Sequence, residues 1–291
     1  MLLLQFVLNG FVSGCAIGVV AITFSYIYST TGVFHVAHAG IYTLGAYIAY
    51  GLLGAGVPFV VALVVSAAIC AAAGAAIQAG VYNTLARREA SPLVMLIASL
   101  GMLAVLQNLM AMMFTPNNLQ FQVPWRLNVF TIGGPFISYP QLAIVISSFI
   151  IFAGLMAFSR YSLMGQKIRA VASNAQLAQI TRLQPERVFV IVLAIASALV
   201  AVPGILTGID QSIQPYNSIM ILLTAVIAVI AGGIGSIPGA FTLAIVISIA
   251  LNVAILVAPG RWAIALTYAL FIAFILVKPT GLFKTRVQRA S

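Results

Sequence analysis

The residues able to do chemistry in this 291-residue chain are few. His35 and His38, in Phe34-His35-Val36-Ala37-His38, stand three apart, which puts two imidazoles on one face of a helix. That spacing suits a metal, but no carboxylate or cysteine adjoins them in sequence to complete a coordination shell. The plainer reading is a polar pair at a helix start near the cytoplasmic boundary, bonded to backbone or to neighbouring spans. Glu89, Glu186 and Asp210 are the only acids. All three fall at the ends of apolar stretches or between them. Ion-coupled carriers place ionisable groups within the membrane, and here the interior offers almost nothing to protonate. No Ser/His/Asp or Cys/His arrangement stands out, and no Gly-x-x-x-x-Gly-Lys-Ser/Thr phosphate loop is present. No catalytic residue, metal site or cofactor is expected, and the chain is not expected to hydrolyse ATP.

Two further stretches carry information. Gly232-Gly233-Ile234-Gly235-Ser236-Ile237-Pro238-Gly239-Ala240 separates two apolar runs. Without a lysine it is no phosphate cradle. It reads either as a tight turn allowing close helix packing or as irregular backbone beside a translocation pathway. The second stretch runs from Arg160 to about 187 and is polar and basic, with Gly165, Lys167, Arg169, Ala170 and Asn174 in its first half. From Ile168 onward, Ile168, Val171, Ala172, Ala175 and Ala178 recur at three- and four-residue spacing, which predicts one amphipathic helix running to about Gln179. Small residues on its apolar side suit close approach to another protein. A helix resting on lipid headgroups is the other reading, although such a helix favours Trp, Phe and Leu where this one has alanine.

The elements that must position these residues are membrane helices. Hydrophobic residues make up 63% of the chain and charged residues 5%, against about 25% charged in a soluble domain. Apolar runs recur that approach the roughly 20 residues a helix needs to cross a bilayer. The alternating short strands of a membrane barrel are absent from the pattern. The predicted fold is therefore all-α, a polytopic helical integral membrane protein with about 8–9 segments, forming a single transmembrane domain over residues 1–291. The segments fall at about 5–28, 35–53, 58–84, 92–114, 140–159, 188–209, 218–231, 238–257 and 261–277. Of these, 35–53 and 218–231 are short enough to be re-entrant. The start, Met1-Leu-Leu-Leu-Gln5, lacks a basic leader region and reads as the beginning of the first span. Cys15 and Cys70 lie in apolar runs, so no disulfide framework is expected.

The net charge of +10 invites a nucleic-acid reading, but its distribution argues for topology. Arg87, Arg88, Arg160, Lys167, Arg169, Arg182, Arg187, Lys278, Lys284, Arg286 and Arg289 fall on one side, and only Arg126 and Arg261 on the other. The positive-inside rule makes the first side cytoplasmic. Pro203-Gly204 is expected to kink its helix. Gln107, Asn108 and Asn252 serve equally as pathway residues or as bonds between helices.

The segment Gly165-x-x-Ile168-Arg169-Ala170-x-x-x-Asn174-x-x-x-Ala178, followed by Glu186-Arg187-Val188, resembles the coupling loop of ABC importer permeases. More narrowly it resembles the permease subunits of branched-chain amino-acid importers, the LivH-type family. The stretch Gly32-Val33-Phe34-His35-Val36-Ala37-His38 through Thr43-Leu44-Gly45-Ala46-Tyr47, the glycine motif 232–240 and Lys278-Pro279-Thr280-Gly281-Leu282 are similar to stretches of that family in the same order. His35 stands where the family usually has Asn. Ala39 follows His38 where it has Gly, with Gly40 one place later, and Arg182-Leu183 replaces Gly-Ile after the loop helix, removing an easy helix stop.

The resemblance implies a bacterial inner-membrane importer subunit. It would work with two cytoplasmic ATPase subunits, a second homologous permease or a copy of itself, a periplasmic substrate-binding protein and membrane lipid, and with no nucleic acid. It assigns Gly165, Lys167, Arg169, Ala170, Asn174 and Ala178 to ATPase coupling, with Ala170 and Ala178 packing against the partner. It assigns His35, His38, Gly40, Gly232, Gly233 and Gly235 to the pathway. Branched-chain amino acids are the implied substrates; urea, short amides and sugars stay open, as does an ATP-independent channel or facilitator.

Overall fold

The computed structural model describes residues 1–131, 134–180 and 182–256, together with Trp262, Ala265, Ala269 and Ile272. Apart from those four residues the predicted segment 261–277 lies outside the described residues, as do the Lys278–Leu282 motif, Arg261, Lys284, Arg286 and Arg289.

The chain is helical, and among the described residues six helices are long and apolar enough to cross a membrane. They are α1 (Leu2–Thr31), the rod Phe59–Arg87, α5 (Pro92–Met113), α6 (Tyr139–Tyr161), α9 (Pro185–Asp210) and α11 (Ile237–Ala254). The rod comprises α3 (Phe59–Ile77), a π turn (Gln78–Tyr82) and α4 (Asn83–Arg87). Two apolar helices are shorter: α2 (His38–Gly54) and α10 (Ser218–Gly232). At 1.5 Å per residue their 17 and 15 residues reach only about 26 and 22 Å. The expected 8–9 segments thus resolve into six full-length helices and two short ones among the described residues.

Centrally placed helices α1 and α9 bury more of their surface than the outer α5 and α6, whose Leu, Ile, Val and Phe side chains point outward. Close approach to α1 is set by Gly10, Gly14 and Gly18, which recur every four residues and face Ile249, Ile245 and Phe241 of α11. The register runs antiparallel, and the small residues let the two backbones nearly touch. Helix α9 continues unbroken through Pro203, and Gly204 packs on the Tyr42 carbonyl of α2.

At one end lie Arg87, Arg160, α7 (Leu163–Ser173), α8 (Ala175–Ile180) and the start of α9, joined by an Arg87–Glu186 ion pair at 2.6 Å. At the other lies a feature the all-α expectation did not include. Residues 129–131 and 136–138 form an antiparallel ribbon, β1 (Val129–Thr131) with β2 (Phe136–Ser138), in the register Val129↔Ser138. Its aromatic and β-branched residues favour strand. Arg126, the described cation on this side, donates to the Ile209 and Gln211 carbonyls at 2.7 and 3.0 Å and so caps the end of α9.

Candidate functional site

The cap on α9 leads directly to a cavity. Asp210 is the last residue of α9, and its Oδ1 accepts from Ser138 Oγ at 2.8 Å. Ser138 in turn opens α6 with a capping box: its Oγ accepts from Gln141 N, and Gln141 Oε1 accepts from Ser138 N. The carboxylate therefore stands at the N-terminus of α6, where unpaired N–H groups favour negative charge. Beneath it is a cavity of about 420 Å³ bounded by α1, α2, α6, α9, α10 and α11. Asn9, Ser13, Tyr42, Gln141, Thr207, Gln211 and Asn252 give it polar groups; Val12, Ala16, Ile17, Ile144 and Ile221 give it an apolar wall. Among the described residues, Asp210 is the one carboxylate in this lining, and no lysine or arginine shares it. Such a chamber suits a small amphiphile with a cationic group at one end and an aliphatic body.

None of His35, His38, Gly40, Gly232, Gly233 or Gly235 lines this cavity. The two histidines lie deeper than a boundary position. After α1 is closed by Gly32 in the left-handed conformation, residues 33–37 turn back into the protein, and α2 starts beside Thr23, two turns inside α1. Both rings are fully buried. Thr23 spends its hydroxyl proton on the Val19 carbonyl at 2.7 Å, so His38 Nε2 is the donor to Thr23 Oγ1 at 2.9 Å. His35 Nδ1 meets Tyr82 Oη at 2.7 Å, and the Ala37 amide donates to Ser99 Oγ. These bonds satisfy the Ala37 amide and one nitrogen of each ring at a depth where water cannot, while His35 Nε2 and His38 Nδ1 are buried without a partner among the described residues. Among the described residues, no group of three His, Cys, Asp or Glu side chains is placed to hold a metal.

Gly40 packs against Leu103 and Leu106 of α5. Gly232 ends α10, and a Cβ there would collide with the Gly239 backbone. Gly233 and Gly235 have φ of 96° and 84°, and Gly235 N donates to Ser25 Oγ of α1 at 3.0 Å. The motif is a reversal between α10 and α11 stitched to α1. Gln107 is buried on α5, while Asn108 donates to Ala104 O and accepts from the Tyr216 hydroxyl; neither lines the cavity. Asn252 does, as do Asn9, Ser13, Thr207 and Asp210, none of which sequence reading places in a site. An acid at a span end reads as solvated until the fold shows what surrounds it.

The basic loop departs from the predicted single helix. It forms two helices, α7 and α8, broken at Asn174, whose backbone is extended at φ −157° and whose Oδ1 accepts from Leu177 N at 2.9 Å. Asparagine caps a helix better than it continues one. Gly165 is buried on the Phe158 carbonyl, and Ala178 is buried within its own chain. Ala178, expected to pack against a partner, instead helps seat α8. Lys167, Arg169 and Ala170 face outward, with Leu177 and Ile180 at 61% and 79% exposure. Arg182 ends α8 with φ 60°, its amide donating to Gln179 O and Leu183 N to Ala178 O. The helix stop that glycine would supply is retained, at a cost of about 1–2 kcal/mol for a side chain in that conformation.

Residues 6–275 match the family described as branched-chain amino acid transport system / permease component. The high-affinity branched-chain amino acid transport system permease protein LivH of Escherichia coli (strain K12) is 30% identical over 295 residues, covering 96% of this chain and 94% of that protein. The similarly named BraD of Pseudomonas aeruginosa is 28% identical over 295 residues, covering 96% and 95%. Among solved structures, PsaBC from Streptococcus pneumoniae in complex with Fab shares the fold, with a TM-score of 0.52, 13% identity and coverage of 95% of this chain and 93% of that one. With the family match running from residue 6 to residue 275, the chain belongs to the branched-chain amino acid transport system permease components.

Proposed function

We propose that this chain is the membrane-spanning permease subunit of an ATP-driven importer for amino acids with branched aliphatic side chains, and that substrate passes through the cavity below Asp210. The observation that carries this reading is the cavity's chemistry: one carboxylate for an ammonium, amide and hydroxyl donors for a carboxylate, and an apolar wall for the side chain. The family match and the LivH and BraD relatives support the substrate class.

In this reading residues 1–291 form one transmembrane domain in a bacterial inner membrane. The short helices α2 and α10 count as crossings, giving eight among the described residues. The Arg87–Arg169 end faces the cytoplasm, as the positive-inside rule requires. ATP is hydrolysed by two separate subunits, since this sequence has no phosphate loop. A second permease (or another copy) and a periplasmic binding protein complete the assembly. The 160–187 loop meets the ATPases through Arg169, Ala170, Leu177 and Ile180, with Gly165, Asn174 and Ala178 shaping it from within.

The test is Asp210→Asn in the assembled transporter, because asparagine keeps an acceptor for Ser138 while removing the charge. Leucine uptake into proteoliposomes should show a KM raised at least tenfold. Wild-type concentration dependence would sink the cavity assignment.

A further inference from the structure

A second cavity, of about 320 Å³, lies at the basic end between α7 and the start of α9. Lys167, Arg182 and Arg187 line it, with Met164, Val188 and Ile191 forming an apolar side. No acid lines it. The adjacent Glu186 points its carboxylate into the pair with Arg87, with contacts of 2.6 and 3.2 Å. Three like charges converge on one groove without a carboxylate from this chain in its wall. Arg182 holds its place despite a backbone conformation that favours glycine, so a cation stands where the helix stop asks for none.

We infer that this groove binds a phosphate-bearing anion, the headgroup of an anionic phospholipid. The phosphodiester would sit among the three cations, which supply charge-assisted donors. The acyl chains would run along α9 past Val188 toward Ile191, which is 37% exposed on the outer face of that helix. A basic pocket opening beside an apolar helix face at the end of a membrane span is the geometry such headgroups occupy. A free phosphate satisfies the cations equally but leaves the apolar side unused. Because the groove joins α7 to α9, a bound lipid would brace the basic loop against the span that ends at Asp210.

The experiment uses the full-length chain in a neutral detergent, titrated with phosphatidylglycerol or phosphatidylcholine, with bound lipid counted by native mass spectrometry. Phosphatidylglycerol should be retained in preference to phosphatidylcholine. Lys167→Gln and Arg187→Gln should each weaken retention about fivefold, the contribution of one basic residue near an anionic surface. Arg182→Gly should weaken it similarly while raising the unfolding temperature, a combination that loss of folding cannot produce. The double variant Arg88→Gln/Arg160→Gln removes charge from the same end outside the groove and should change nothing. Equal retention of both lipids, or equal loss in groove and control variants, overturns the site. Displacement by millimolar inorganic phosphate reassigns the groove to the free anion and overturns the lipid. If added ATPase subunits strip the lipid as they bind, the cations belong to that protein interface and the lipid assignment falls.

Discussion

A methyl group added at Gly14 tests whether α1 and α11 are held at backbone contact. The new Cβ would lie 2.6 Å from Ile245 Cα and 3.2 Å from both Ile245 O and Ser248 Cβ. Carbon atoms pack at about 3.5–4.0 Å, so the two helices must part by roughly 1 Å. The obstructing atoms are mainly backbone, and no flexible side-chain tip can swing aside. Overpacking of this kind costs about 1–3 kcal/mol, which for a chain of this length lowers Tm by roughly 2–5 °C. The control is Gly154→Ala on α6, where a Cβ meets nothing within 4 Å. There the loss of glycine's backbone freedom should add about 0.5–1 kcal/mol. Cys15 and Cys70 are free and buried, so thermal unfolding in fixed detergent can be followed with a thiol-reactive fluorophore. Opposite signs for the two variants are expected. If Gly14→Ala melts with the unsubstituted protein, or if both variants fall together, close contact between α1 and α11 is not what the glycines provide. Asn9, Ser13 and Asn252 sit on the same two helices, so Gly14→Ala should also disturb uptake through the cavity.

Arg126→Ala removes two charge-assisted bonds to the final carbonyls of α9; it should cost about 1–2 kcal/mol given partial exposure, seen as a lower Tm and faster hydrogen exchange at residues 207–211. Thr23→Val deprives the buried His38 Nε2 of its acceptor and should cost about 1–3 kcal/mol, whereas Thr23→Ser should stay within about 1 kcal/mol of the unsubstituted protein; a neutral valine variant would contradict the bond. Gly232→Ala drives a Cβ into the Gly239 backbone and should destabilise by at least about 1–3 kcal/mol, with lower yield of folded protein as the first readout.

How much of this was legible depends on how local each cause is. Span length and hydropathy are properties of a contiguous segment, so α1, α5, α6, α9 and α11 are readable from the sequence, and so is the collection of cations at one end. The break at Asn174 was concealed by periodicity. Ile168, Val171, Ala175 and Ala178 keep three- and four-residue spacing across it, and the capping preference of asparagine was the overlooked signal. Whether Ala178 meets a partner or its own chain cannot be told from its size, since both demand a small residue. The Gly10, Gly14, Gly18 row is visible in the sequence, but its meaning depends on α11, more than two hundred residues away. Asp210 is the clearest case. Its neighbours in sequence describe a helix end, while its surroundings come from Ser138 and Gln141 at the start of α6 and from the cavity that α1 and α11 help close. Short α2 likewise takes its depth from Thr23, Tyr82 and Ser99 on other helices.

The two ends of the molecule are joined by the pair of helices that bracket the basic loop. Helix α6 runs from Ser138 and Gln141 at the cavity to Arg160 at the loop, and α9 runs from Glu186 at the loop to Asp210 at the cavity. At 1.5 Å per residue these rods are about 34 and 39 Å long. At the cavity they are tied by the Ser138–Asp210 bond of 2.8 Å. At the loop, Gly165 packs α7 onto the Phe158 carbonyl of α6, while Arg87 grips Glu186 on α9. Close-packed helices do not compress, so a displacement that separates the loop ends of α6 and α9 must be taken up as a tilt or slide of one rod against the other. The Ser138–Asp210 bond is where that motion meets the cavity. Breaking it would leave the carboxylate with only the 3.5 Å contact from Gln141 Nε2 to fix its direction at the N-terminus of α6. The acid best placed to take an ammonium is thus also the acid whose orientation depends on the relative position of the two helices entering the loop.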